Sequence, residues 1–295
     1  MTDEFVPVLE IPVKSAANVD RASLLSALSS IAADDSQFRF VLNDQTGDVL
    51  LAGIDELQLA QKIDALRRVS GAAISIGAPQ IAFRETMMRR AEVAYTHKKQ
   101  FGGGGEFAKV KLLLEPAGPE SGYACQFRTS TTILPDEYVA GIKAGVETAL
   151  GAGIVAGFPV IGITATVVDG AFHELDSSTA AFAIAARGAV REALQAGDAV
   201  MLEPVMKLEV AMPEDCVERI TNDLALRRAF VVSRDTREGH SVIVATVPAT
   251  DMLGYAGSLR SMSGGRATYG VQFDHYAPVS PPDDPRFRPA AAMRA

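Results

Sequence analysis

Residues 38–52, Phe38-Arg39-Phe40-Val41-Leu42-Asn43-Asp44-Gln45-Thr46-Gly47-Asp48-Val49-Leu50-Leu51-Ala52, hold two apolar runs around a polar turn. Such runs, bounded by Asn, Asp and Gly, read as two strands joined by a turn. A helical pattern lies on either side. Upstream, Asp20 is placed to cap a helix running to Ala33, with Leu24, Leu28 and Ile31 on its core face. Downstream, Gly53 precedes a helix from Ile54 to Val69, whose apolar face is Ile54, Leu57, Ile63 and Leu66. Strands at Val6 to Val13 and Ala73 to Ile76 complete the order β-α-β-β-α-β, the ferredoxin-like pattern.

The same order returns near the other end. Met201 to Met212 reads as a strand with a break at Glu203-Pro204, and Pro213 opens a helix to Leu226. Strands at Phe230 to Ser233 and Ser241 to Val247 flank Arg237-Glu238-Gly239. Thr250 then caps a helix to Ser261, and Gly264-Gly265 leads into a strand from Ala267 to Phe273. Between these segments, after Gly77-Ala78-Pro79, the order differs. Strands Ala91 to Gln100 and Glu106 to Glu115 flank the glycine run Gly102 to Gly105, and Tyr123 to Arg128 is a further strand. Pro135 opens a helix to Leu150, ended by Gly151 and Gly153. A strand from Val160 to Val168 leads into Gly170-Ala171-Phe172-His173-Glu174-Leu175-Asp176-Ser177-Ser178. Ser177 or Ser178 caps the next helix, Thr179 to Ala196. The fold class is α+β, with domains at 1–78, 79–200 and 201–278. The proline-rich, charged tail 279–295 is expected to be disordered.

The 295 residues are 48% hydrophobic and 22% charged, enough apolar surface for ordinary soluble cores. No apolar run approaches the ~20 residues of a membrane span, and the start Thr2-Asp3-Glu4 lacks a signal-peptide pattern. No membrane role and a cytoplasmic location are therefore expected. Cys125 and Cys216 lack metal-ligand spacing and read as thiols in a reducing compartment. The net charge of −8 argues against a generic nucleic-acid binder, so any RNA contact must use local patches or shape.

Several motifs, in collinear order, resemble the C-terminal three domains (III, IV and V) of the translational GTPase elongation factor G. Pro79-Gln80-Ile81-Ala82-Phe83-Arg84-Glu85-Thr86 resembles the junction of domains III and IV, and Lys98-Lys99-Gln100-Phe101-Gly102-Gly103-Gly104-Gly105-Glu106-Phe107-Ala108 the glycine-rich turn of domain IV. Leu202-Glu203-Pro204-Val205-Met206-Lys207 resembles the entry to domain V. Leu253-Gly254-Tyr255, Leu259-Arg260-Ser261, Gly265-Arg266-Ala267-Thr268-Tyr269 and Phe273-Asp274-His275-Tyr276 resemble its second helix and final strand. The resemblance implies two ferredoxin-like domains flanking a ribosomal-protein-S5-like domain with βαβ crossovers. It departs from the family at Thr131-Thr132, where two glycines are usual, and at Ala229, where Arg-Arg-Gly is usual. Threonine tolerates positive φ poorly, so a changed tip loop and a divergent paralogue are expected.

The resemblance implies a ribosome-binding portion of such a factor. In the intact family GTP hydrolysis supports translocation of tRNA and mRNA, and the domain IV tip enters the A site. Partners would be ribosomal RNA and the tRNA–mRNA pair, and the chain a monomer. The sequence contains no Gly-x-x-x-x-Gly-Lys-Ser/Thr phosphate loop, and Glu106 after the glycine run would repel phosphate. No cofactor is expected in this chain, GTP and Mg²⁺ belonging to the family's G domain, and no enzymatic activity of its own.

The implied tip contacts are His173, Phe172, Gly170, Glu174, Thr131 and Thr132, and the basic contacts Lys98, Lys99, Arg227, Arg228 and Arg260. An imidazole can stack on bases or bond to sugar and phosphate. His173 also reads as a plain surface histidine, or as a base or ligand with Glu174 and Asp176 nearby, though without a second clear ligand. Two other functions stay open. One is a GTPase-less paralogue with a regulatory or ribosome-protection role. The other is a small-molecule enzyme on ferredoxin-like domains, for which no nucleophile–base pair stands out.

Overall fold

The structure is a computed structural model that describes residues 6–15, 21–42, 48–70, 74–101, 104–237 and 239–279. The Asp20 cap, the Asn43 to Gly47 turn, Ala73, Gly102, Gly103, Glu238 and the tail from 280 onward lie outside the described residues. In chain order the elements are β1 (Leu9–Ser15), α1 (Arg21–Ala33), β2 (Arg39–Leu42), β3 (Val49–Gly53), α2 (Glu56–Ser70), β4 (Ile74–Ile76), β5 (Gln80–Ile81), β6 (Arg84–Met87), β7 (Ala91–Phe101) and β8 (Gly104–Pro116). There follow β9 (Tyr123–Phe127), α3 (Val139–Ala152), β10 (Ile163–Ala171), α4 (Thr179–Ala196), β11 (Ala199–Met212), α5 (Val217–Leu226), β12 (Phe230–Arg237), β13 (His240–Pro248), α6 (Ala249–Met252), α7 (Tyr255–Ser263) and β14 (Thr268–Pro278). Among the described residues no helix is long and apolar enough to cross a membrane.

The described residues divide into two compact units, one drawn from 6–82 with 203–277, the other from 83–202 with 278 and 279. The first unit holds two sheets of like topology. In one the order is β2-β3-β1-β4, and in the other β12-β13-β11-β14. Both are the ferredoxin-like arrangement, in which two βα units interleave so that the first and third strands lie at the centre. Leu24, Leu28, Leu59, Ile63 and Leu66 fill the first core, and Leu208, Val210, Ile220, Leu224 and Leu259 the second. Leu57, expected on the apolar face of α2, is instead exposed, because the core-facing row starts at Leu59.

The second unit carries a sheet of order β7-β8-β10-β9. β7, β8 and β10 run antiparallel, while β9 and β10 are parallel and joined through α3, a βαβ crossover. Ala181, Ala185, Ala186, Ala189 and Ala193 of α4 are fully or almost fully buried. Their small side chains let α3 come close. A Cβ on Gly141 would lie 2.2 Å from the Thr179 carbonyl oxygen, and one on Gly145 2.2 Å from that of Ala183. A larger residue at either site would force the helices apart.

Several local expectations change. The strand expected at Val160 to Val168 runs from Ile163 to Ala171, because a register shift between Val167 and Asp169 keeps Gly170 and Ala171 paired with β8. Pro204 does not break β11. Pairing with β6 ends at Leu202 and pairing with β13 begins at Val205, so the residue without an N–H falls at the changeover. Pro135 and Pro213 each precede a 3₁₀ turn, with the α-helix starting at Val139 or Val217. Thr250 is no cap. The expected single helix is two, α6 and α7, divided where Gly254 takes a left-handed φ of 72°.

Candidate functional site

Three segments meet at one end of the β7-β8-β10-β9 sheet, and the register shows why. Lys99 pairs with Glu106 beside the β7–β8 turn, Ala171 at the end of β10 pairs with Lys109, and Phe127 at the end of β9 pairs with Val167. The paired ends of β7 and β8, the His173 loop and the Thr131-Thr132 loop therefore lie at the same end of the sheet. Lys98, Lys99, Gln100, Glu106, Phe107, Phe172, His173 and Asp176 line a cleft of about 400 Å³ there.

The His173 loop is tied to the hairpin by backbone. The Phe107 N–H donates to the Asp176 carbonyl at 2.8 Å, and Ser177 Oγ donates to the Phe107 carbonyl at 2.7 Å. Ser177 Oγ also accepts from the His173 N–H at 2.8 Å, and the Ser177 N–H donates to the His173 carbonyl at 3.0 Å. Ser178 caps α4, its side chain accepting from the Ala181 N–H. The two candidate cap serines thus divide the work, one capping the helix and one closing the loop. The backbone is close beside them at Gly105, where a Cβ would come within 3.3 Å of Asp176 and of the Lys99 carbonyl oxygen.

His173 is exposed. Its Nδ1 lies 3.3 Å from Asp176 Oδ2 and 3.4 Å from the Leu175 nitrogen. A proton on Nδ1 serves the first contact and a lone pair the second, so the tautomer selects between them. With the proton on Nδ1, Nε2 is left as an acceptor. Phe172 packs on the core, its ring centroid 5.9 Å from that of Tyr138, which stacks on Phe182 at 4.4 Å. Phe172 is thus the loop's anchor. Gly170 lies within β10, where a Cβ would meet the Lys109 carbonyl oxygen at 3.0 Å. Glu174 and Lys98 and Lys99 are exposed. Thr131 and Thr132 are exposed in a turn whose Ile133 and Leu134 N–H groups both donate to the Ser130 carbonyl. Neither threonine has positive φ, so the turn closes without the conformation that would require glycine.

His97 was not singled out by the sequence reading. Its side chain is 8% exposed and its Nε2 lies 2.9 Å from Glu106 Oε2. The signal was the period-2 row of Val93, Tyr95 and His97, which turns one face of β7 inward. The cleft therefore mixes Lys98 and Lys99 with Glu106 and Asp176. Such a lining suits a ligand that offers both anionic and hydrogen-bond-donating groups, as a nucleotide does, better than a bare anion. Ser177 gives its proton to a backbone carbonyl and is no activated nucleophile. Among the described residues no group of three or more His, Cys, Asp or Glu is placed to hold a metal.

The other basic candidates lie in the first unit. Arg260 is exposed. The Arg227 side chain is 17% exposed and donates to Asp223, the Asp251 carbonyl and Ser258. Arg228, 29% exposed, donates to Asp251, Glu203 and Thr250. Burial works against the Arg228 charge, but Asp251 and Glu203 outweigh it and raise its pKa. The helix end that lacks the usual glycine is explained here too. Arg228, not Ala229, takes the left-handed φ of 55°, held there by those carboxylates. Both guanidinium groups thus hold this unit together.

Comparison with known proteins divides the chain into three matches. Residues 6–78 match the family described as Elongation Factor G, domain III, residues 79–198 that of Elongation factor G, domain IV, and residues 200–285 that of the Elongation factor G C-terminus. The chain is 46% identical over 271 residues to an elongation factor G from Rhodopseudomonas palustris (strain BisB18), covering 92% of this chain and 39% of that relative. A crystal structure of a protein from Thermus thermophilus is similar with a TM-score of 0.70 and 34% identity, over 93% of this chain and 41% of the other. The chain thus spans about two fifths of the length of the relatives it matches.

Proposed function

The chain belongs to the elongation factor G family, whose domain III, domain IV and C-terminal models it matches in that order, and from this premise we propose that it is a ribosome-binding arm acting in translation elongation. The observation that carries this reading is the collinear match over residues 6–285. The action is mechanical. The ends of β7 and β8 and the His173 loop form a tip that occupies the A site beside tRNA and mRNA, and GTP hydrolysis elsewhere in the family's full-length factor drives its entry. In this reading the chain works in the cytoplasm, as a monomer, without a cofactor of its own.

The tip supports this assignment by its construction. His173 and Glu174 are exposed at the apex, while Phe172 and Ser177 hold the loop to the sheet and the hairpin. A loop held from both sides loses little entropy when it docks. Lys98 and Lys99 supply charge for phosphate, and the His173 ring supplies a stacking face with a ring nitrogen that accepts or donates according to its tautomer. The test is hydroxyl-radical probing from iron tethered at a Glu174→Cys variant bound to ribosomes. Cleavage of ribosomal RNA around the decoding site is expected. Cleavage confined to other regions, with binding intact, would remove the tip assignment.

A further inference from the structure

Within the first unit, two helix N-termini converge on two adjacent carboxylates. Asp55 caps α2, its Oδ1 accepting from the Gln58 N–H at 2.7 Å, while Gln58 Oε1 accepts from the Ile54 N–H at 2.8 Å. Glu56, next along, reaches the other ferredoxin-like domain. Its Oε2 accepts from the N–H of Gly254, the residue before α7, at 2.7 Å. Asp55 Oδ2 also faces that domain, taking the Tyr269 hydroxyl at 3.4 Å. Burial, with Asp55 alongside, pushes the Tyr269 phenol up to about 12, so it stays a donor. Each carboxylate thus lies at the positive end of a helix, where a negative charge is favoured.

We propose that Asp55 and Glu56 form a charged clasp that fixes the two ferredoxin-like domains of this unit as one body. The apolar seam beneath them is the second reason. A cavity of about 30 Å³ remains there, lined by Leu9, Ile54, Ile81, Met206, Met252 and Val271, among others. That is room for a water, so apolar packing across the seam is incomplete. A loosely filled apolar seam tolerates sliding, whereas a carboxylate–amide bond has one geometry. Gly254 makes the bond possible, because its left-handed φ of 72° suits a residue without a Cβ. The clasp is a conformational latch. It holds while the two side chains keep these bonds and lets the domains hinge when the bonds are lost.

The test compares the unsubstituted chain with Glu56→Gln and with the double variant Asp55→Asn/Glu56→Gln. Asparagine is itself a good cap, so α2 is kept. Hydrogen exchange is followed on the peptide containing Gly254, and the distance between the two domains by spin labels on introduced Gln61→Cys and Arg260→Cys, with Cys125 and Cys216 replaced by alanine. Exchange is expected to rise about three- to tenfold, and the distance distribution to broaden, with helix content unchanged. Unchanged exchange with an unchanged distribution would overturn the proposal. Should the double variant not fold, Glu56→Gln alone, with the Asp55 cap intact, decides by the same two readings.

Discussion

Ser177 Oγ donates to the Phe107 carbonyl at 2.7 Å while accepting from the His173 N–H, so one hydroxyl joins the histidine loop to the strand that follows Lys98 and Lys99 in the β7–β8 hairpin. The two halves of the tip are therefore one construction. Ser177→Ala leaves the His173 N–H and the Phe107 carbonyl without that partner. A loss of about 1–2 kcal/mol is expected, with faster amide exchange at residues 105–109 and 172–177. Exchange that rises evenly over the whole domain would show that Ser177 has no special place in the tip.

Glu85 makes a second prediction in the same unit. Its side chain is fully buried and accepts from the backbone N–H groups of Ile154, Val155, Ala156, Gly157 and Phe158 at 2.6 to 3.1 Å. The carboxylate thus organises residues 154–158 of the segment between α3 and β10. Glu85→Gln replaces one acceptor oxygen with an NH₂ group that faces donors. The domain should lose about 2–4 kcal/mol, seen as a lower urea midpoint. A shift worth under about 0.5 kcal/mol, the size of an ordinary surface change, would contradict the geometry.

Asp35 predicts a pH dependence. Burial raises its pKa, but hydrogen bonds from Lys62, the Gln37 N–H and the Gln58 amide outweigh it, holding the carboxyl below its usual value. A folded pKa below the unfolded one adds stability that is present above the unfolded value, about 4, and lost as pH falls through the folded value. Asp35→Asn removes this contribution. The stability gap between parent and variant should be larger at about pH 6 than at about pH 3. Urea unfolding at both pH values checks it, and an equal gap would refute it.

The two ferredoxin-like domains were legible because their signals are local. Alternating and helical periods need only near neighbours. The resemblance carried the middle domain. The misses have a common cause, which is long-range pairing. Nothing near Pro204 indicates that β11 changes partner from β6 to β13 there. Gly254 within an otherwise helical run looks tolerable, and its left-handed turn is understood only with Glu56 beside it, 198 residues away in sequence. Nor does the sequence show that Asp223, Asp251 and Glu203 are brought to Arg227 and Arg228. His173, Lys98 and Lys99 were each legible as candidates. Their shared cleft was not, because it depends on the register of β7, β8 and β10.

This acidic chain is proposed to bind ribosomes through its tip. Cosedimentation with ribosomes over a salt series tests it most directly, comparing the unsubstituted chain with Lys98→Ala/Lys99→Ala. Binding is expected at low salt, weakening as salt rises, and the double variant should bind more weakly with a slope shallower by about 1.5 in log K against log salt. No binding of the unsubstituted chain even at low salt would contradict the claim. Binding with a slope that the lysines leave unchanged would place the contact elsewhere than at the tip.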